Sequence, residues 1–300
     1  PYFYEDHELF PIVEIYHDVV PYLADISMHA FFNDAQQCAK AWRIANLKLA
    51  DLFGDLLQLR KPSPPPLSYG HLVCLGAPVR YPEDGEPNIS PIANSLDRAI
   101  DLLEQSLDLN FDNLPIVEQY RAFWRTLQQA FPEQNVPFSG LGVEGPVTSA
   151  ELFRGQDFFL DIMDEPEKSA LYLEKMTDSV IRFVQWTRRV NGEERVNPSG
   201  SGLADDFASL IQPDRWRQLV IPFWNQYYGA LTTGRRFLHC ENMVPAQLPY
   251  LKEVGIDHFQ PSVADRLTLS DVRSGIDISF DWLLYAYQIT GMSDEAIQQW

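Results

Sequence analysis

The chain has 300 residues, 45% of them hydrophobic, with a formal charge of -19 and a pI near 4.6. That length and apolar content suffice for a large core, and the acidic balance excludes nucleic acid and anionic membranes as general partners, since both select basic surfaces. Cys38, Cys74 and Cys240 stand at unrelated spacings, no apolar run has membrane-spanning length and no signal-peptide pattern opens the chain, so a globular enzyme of the reducing cytoplasm is expected. Pro1 is not an initiator residue and Trp300 falls inside a helical pattern, so a processed or trimmed sequence is expected.

The first expected strand runs from Pro11 to Tyr16. A helix from about Asp34 to Phe53 follows, with Ala35, Ala39, Trp42, Leu49 and Leu52 on its apolar face. The second strand, Leu56 to Leu59, ends at Arg60-Lys61-Pro62. A proline cluster from Pro62 to Pro66 leads into an insertion at about 66–92, where Leu72 to Leu75 and Val79 to Tyr81 flank Gly76 like a hairpin. Helices near Ser95 to Leu107 and Pro115 to Phe131 precede the third strand, Pro137 to Val143, which terminates at Glu144-Gly145-Pro146. Thr148 reads as the cap of a helix beginning near Ala150.

Helix Glu165 to Val190 opens with Pro166 in its first turn, where a missing amide donor costs nothing. The fourth strand is the glycine-rich Val196 to Ala204, closed by Asp205-Asp206 and followed by helix from Pro213. Strand five is Arg236 to Cys240, and a helix from Pro245 to Val254 stops at Gly255. Strand six is His258 to Gln260 and strand seven Ile276 to Phe280. This alternation predicts one α/β domain over 1–300, a (β/α)8 TIM barrel with the inserted hairpin, in which seven strands can be placed and an eighth is missing. There is no internal repeat, and the run Pro198 to Leu203 lacks the lysine and the strand-then-helix order of a phosphate loop.

The carboxyl ends of barrel strands share one face, so residues remote in sequence meet there. Those ends carry Tyr16, His17 and Asp18, then Arg60 and Lys61, then Glu144, then Asp205 and Asp206. Strand five adds His239, Cys240 and Glu241, strand six His258 and Gln260, strand seven Asp281 and Trp282. Carboxylates gathered in a low dielectric raise each other's pKa unless a proton, metal or other cation compensates. Glu144, Asp205 and Asp206 are the catalytic candidates, and Tyr16, His17, Arg60, His258, Gln260, Asp281 and Trp282 the substrate-binding ones.

The run from Arg236 to Asn242 is the most informative, because a short buried strand there delivers an imidazole, a thiol and a carboxylate, a candidate zinc set of His239, Cys240 and Glu241. Plainer readings stand beside these: Cys240 as a small core residue, Asp205-Asp206 as turn caps, His258 as a structural histidine.

Three segments resemble the uroporphyrinogen decarboxylase superfamily, which also contains the corrinoid-dependent methyltransferases. They are Gly145-Pro146-Val147-Thr148-Ser149-Ala150, the run Ala204 to Pro213 with Ile221-Pro222 after it, and Phe237 to Asn242 with Leu251 to Asp257 following. The turn Tyr16 to Pro21 lacks the arginines that true decarboxylases of the family use to hold substrate carboxylates, and strand two ends in Arg60-Lys61 where they have an aspartate. The resemblance therefore implies the methyltransferase branch: a small-molecule substrate, zinc near His239 and Cys240, and a corrinoid carried by a separate partner protein. A homodimer is the candidate assembly, although the sequence does not name the oligomeric state. That branch separates its histidine and cysteine by one residue and adds a late cysteine. Here the two are adjacent, so alternation points them to opposite faces unless the strand has ended. The third ligand would then be Glu241, Glu144, Asp205 or a residue beyond Trp300. The alternatives are a decarboxylase without cofactor, with Arg60 and Lys61 anchoring carboxylates and Asp205 or Asp206 donating a proton, and a binding protein that kept the barrel and lost catalysis.

Overall fold

The structure is a computed structural model that describes residues 15–54, 60–262 and 264–299. The chain forms two compact units: Pro1–Leu67, Arg80–Asn88 and Pro115–Leu141 make one, and Ser68–Val79, Ile89–Leu114 and Gly142–Trp300 the other. In the first, helix Ala35–Phe53 begins where the Asp34 carboxylate accepts from the Gln36 and Gln37 amides, satisfying donors the first turn leaves orphaned. Its buried Cys38, Ala41, Trp42, Ala45 and Leu49 keep helical spacing, and the first four pack into a core with Phe31, Phe32, Phe123 and Leu127. The Trp42 indole N–H donates to the Ser63 carbonyl at 2.8 Å, so its polar end is paired as burial demands.

The second unit holds the larger core. Helix Pro166–Val190 starts at Pro166 as expected and presents Tyr172, Leu173, Met176, Val180 and Phe183 along one stripe. Each such side chain withdrawn from water contributes about 1.5–3 kcal/mol before entropy is counted. Two short strands, β1 (Val79–Arg80) and β2 (Asn88–Ile89), pair with each other. A parallel sheet in the order β3 (Gly200–Ala204), β4 (Arg235–His239), β5 (His258–Gln260) and β6 (Ser279–Phe280) lies among the helices. Its register pairs Ala204 with His239 and His239 with Gln260, which sets the strand exits level with one another.

Several expectations are corrected. Residues 137–143 form no strand beyond a single bridge between Leu67 and Leu141, because Gly140 takes φ +97 and a Cβ there would stand 2.6 Å from the Tyr120 ring. The pattern Leu72 to Leu75 is helical, Gly70–Cys74, and the hairpin turns over residues 81–87 instead. Four consecutive apolar residues do not distinguish the two periods. The helix expected near Ala150 starts at Pro146 with Gly145 as its cap, and Thr148 sits inside its first turn. Pro249, and not Pro245, opens helix Pro249–Val254, since Pro245–Gln247 is a 3-10 turn; Gly255 ends it in a left-handed conformation as expected. The stretch after Pro213 divides into a 3-10 turn and the helices Trp216–Leu219 and Ile221–Leu231. Strands four and seven are shorter than expected. Residues 11–14 of strand one and all of strand two lie outside the described residues. Among the described residues no helix is long and apolar enough to cross a membrane.

Candidate active site

The parallel ladder continues past the ends of the strands. The Asp205 amide donates to the His239 carbonyl at 3.0 Å, the Cys240 amide to Gln260 at 3.3 Å and the Asp281 amide to Phe259 at 3.0 Å. On the other flank the Gly145 amide donates to the Ala204 carbonyl at 2.5 Å, which brings Glu144 to the same level although its segment makes no strand. The side chains at this level alternate between two layers, one facing the core and one facing outward.

Asp205 and Cys240 form the inner layer, both 0% exposed. The Asp205 carboxylate accepts from the Thr148 amide at 2.7 Å, the Val147 amide at 3.3 Å and the Trp224 indole at 2.7 Å. It thus caps helix Pro146–Arg154 from outside, supplying the acceptor its first turn lacks and a charge suited to the positive end of the helix. The Thr148 hydroxyl accepts from the Phe207 amide, fixing the turn that follows. Burial pushes the Asp205 carboxyl up to about 6 against the lowering effect of those donors. A Cβ on Gly145 would stand 2.4 Å from Asp205, so this close approach requires glycine. The Cys240 Sγ lies 3.2 Å from the Asp205 carbonyl oxygen inside the main core, and burial holds its thiol well above the ordinary range, with Asp206 and Asp205 adding to the effect.

The outer layer gathers Asp206, His239 and Glu241, whose ligand atoms all lie within 4.8 Å of one another. His239 Nε2 is 3.4 Å from Asp206 Oδ1 and 3.9 Å from Glu241 Oε1, and the three side chains are 31%, 29% and 33% exposed. The Glu241 amide donates to Asp206 Oδ1 at 2.9 Å, and the Ser262 hydroxyl, itself bonded to the Tyr285 hydroxyl, donates to Glu241 Oε1 at 2.8 Å. Burial raises the Asp206 carboxyl and Glu241 adds to that, while His239 and the Glu241 amide oppose it. Half-buried Glu144 is pushed up to about 8, first by desolvation and then by Asp206, Asp205 and Glu241. It carries a proton at neutral pH.

The sequence-derived metal set is thus only partly brought together: His239 and Glu241 converge with Asp206, whereas Cys240 turns into the core. The strand runs to His239 before bending at Asn242, whose φ is +56, so adjacent residues keep opposite faces. His258, Gln260 and Asp281 stand behind His239. His239 Nδ1 is 2.7 Å from Gln260 Oε1, Gln260 Nε2 donates to Asp281 Oδ2 at 3.3 Å, and His258 Nε2 is 3.2 Å from the same oxygen. The hydrogen bond from His258 keeps the Asp281 carboxyl below its usual range. Trp282 is partly buried against the main core. Tyr16, His17 and Arg60 belong to the first unit, in which His17 pairs with Glu86 at 3.2 Å and Tyr16 is 51% exposed. Ser262, Tyr285 and Trp224 escaped sequence reasoning. Only the strand-six exit hinted at Ser262, and nothing in spacing marks a helix indole as the partner of a strand-end carboxylate.

A short parallel sheet flanked by helices, with acids and an imidazole at its carboxyl edge, defines a TIM-barrel-like α/β protein, although no closed barrel is traced by the described residues. The family model for uroporphyrinogen decarboxylase (URO-D) matches residues 70–276, and the chain belongs to that family. The matched region contains every residue of both layers. No curated protein matches the sequence. Among solved structures, a methyltransferase from Methanosarcina mazei is similar at 15% identity with a TM-score of 0.56, over 81% of this chain and 67% of that one. At that identity the likeness is one of fold.

Proposed function

We propose that the chain is a methyltransferase-like enzyme of the URO-D family that moves a methyl group between a small substrate and a corrinoid on a separate protein, with a metal ion held by Asp206, His239 and Glu241. The observation that carries this reading is the convergence of Asp206 Oδ1, His239 Nε2 and Glu241 Oε1 at the exits of parallel strands. The donor set fits a divalent cation of the zinc class through one nitrogen and two oxygens. It does not draw on Cys240, whose buried thiol stays protonated. A cation held by these three residues would supply Lewis acidity toward a substrate thiol or ether oxygen. The chain's own residues do the rest. Glu241 and Asp206 are held in place by Ser262 and by the Glu241 amide, Asp205 fixes the turn that carries Asp206, and protonated Glu144 is placed to deliver a proton.

The test is turnover of methylcobalamin by the purified chain with added zinc and a small thiol as acceptor, followed by the corrinoid absorbance. The expected result is accelerated demethylation that Asp206→Ala abolishes. A second reading, cofactor-free decarboxylation, is favoured by the proton on Glu144, which suits a donor to a carbanion left by carbon dioxide. Absence of methyl transfer, together with porphyrin binding that depends on Arg60, would replace the first reading with the second.

A further inference from the structure

We infer that Asp281, acting through Gln260, fixes the His239 ring with its proton on Nδ1 and a bare lone pair on Nε2 aimed at Asp206 and Glu241, which makes Gln260 and Asp281 positioning residues for a cation. This rests on the proposed cation at that point, but the order of donors stands by itself. An ionised Asp281 only accepts, and the His258 nitrogen on its Oδ2 keeps it ionised. The amino end of Gln260 must therefore face Asp281 at 3.3 Å, and its oxygen must face His239 Nδ1 at 2.7 Å. An amide oxygen also only accepts, so Nδ1 is the donor. A neutral imidazole has one N–H, hence Nε2 is left unprotonated.

That nitrogen stands 3.4 Å from Asp206 Oδ1 and 3.9 Å from Glu241 Oε1, oxygens that already accept from the Glu241 amide and the Ser262 hydroxyl. Three acceptors meet there with no donor between them. A structural histidine would turn an N–H toward such carboxylates and gain a charge-assisted bond. In a neutral ring the amide behind it prevents that, and either a second proton on Nε2 or a cation between the three atoms resolves the conflict. Outer partners of this kind fix the tautomer and raise the basicity of metal-binding histidines.

The test is proton–nitrogen correlation NMR of the full chain labelled at histidine, at mildly alkaline pH, with His239→Gln to assign its signals. The wild type should show the Nδ1–H tautomer. In Gln260→Leu and in Asp281→Leu, which removes the acceptor, the proton should move to Nε2, and cobalt(II) affinity by titration should fall about 10–100-fold. An Nε2–H tautomer in the wild type would overturn the inference, as would an Nδ1–H signal unchanged in Asp281→Leu or cobalt(II) affinity indifferent to the tautomer. A wild type that holds Nδ1–H and takes up no cobalt(II) would leave the relay standing and remove the cation from the proposed function.

Discussion

Asp205 and Asp206 are neighbours in sequence and identical in chemistry, yet the layers they enter differ in almost every physical respect. The inner layer, Asp205 with Cys240, is sealed from water and fully paired: every donor around Asp205 belongs to the fold, and the thiol is too costly to ionise. The outer layer, Asp206 with His239 and Glu241, is about one-third exposed and has acceptors aimed at a common point. Donors in excess of need build a structure. Acceptors in excess of donors build a site. Strand alternation makes the division, sending one residue of each adjacent pair to each layer.

The contrast can be broken from either side. The largest effect is expected from Asp205→Ala, which orphans the Val147 and Thr148 amides and the Trp224 indole; the loss should be about 3 kcal/mol or more by denaturant titration. A loss under about 1 kcal/mol would deny Asp205 its structural role. Gly145→Ala should cost about 1–3 kcal/mol by crowding Asp205, since the backbone itself, at φ -65, tolerates alanine. Cys240→Ala should cost about 1 kcal/mol of stability and leave cobalt(II) affinity unchanged, and a large drop in that affinity would move the thiol into the site.

The remaining effect sharpens the picture through pH. Glu144 keeps its proton to about pH 8 in the fold but to about 4.5 when unfolded. Between those values the folded chain binds the extra proton, so stability falls as pH rises through that window. Asp205, raised to about 6 from 3.8, acts with the same sign over the lower part. Glu144→Gln should remove its share of that slope, seen as a flatter run of denaturation midpoints from pH 5 to 8. An unchanged slope would place the titrating proton elsewhere.

Much of the carboxyl half was legible in the sequence because its signals are local. Pro166 at its helix start, Gly255 after Val254 and the apolar run at 237–238 each act within a few residues, and those elements appear where these residues predict them, whereas the helix expected from Pro245 opens at Pro249. The strand exits could be named for the same reason. The partition of those exits could not, because it depends on register: which of Asp205 and Asp206 faces the core follows from Ala204 pairing with His239, a fact of tertiary structure. The start of the helix at Pro146 was missed because the acceptor of its Thr148 amide lies 57 positions away, at Asp205. Ser262 and Tyr285 orient Glu241 from after β5 and after β6, and no spacing links them.

Anomalous diffraction from crystals of the full chain grown with cobalt(II) or zinc measures the division between the layers directly. The account predicts one anomalous peak bonded to Asp206, His239 Nε2 and Glu241, with the Cys240 sulfur well outside the roughly 2.3 Å of a metal–thiolate bond. A peak coordinated by Cys240, or saturating metal with none beside His239, would contradict it.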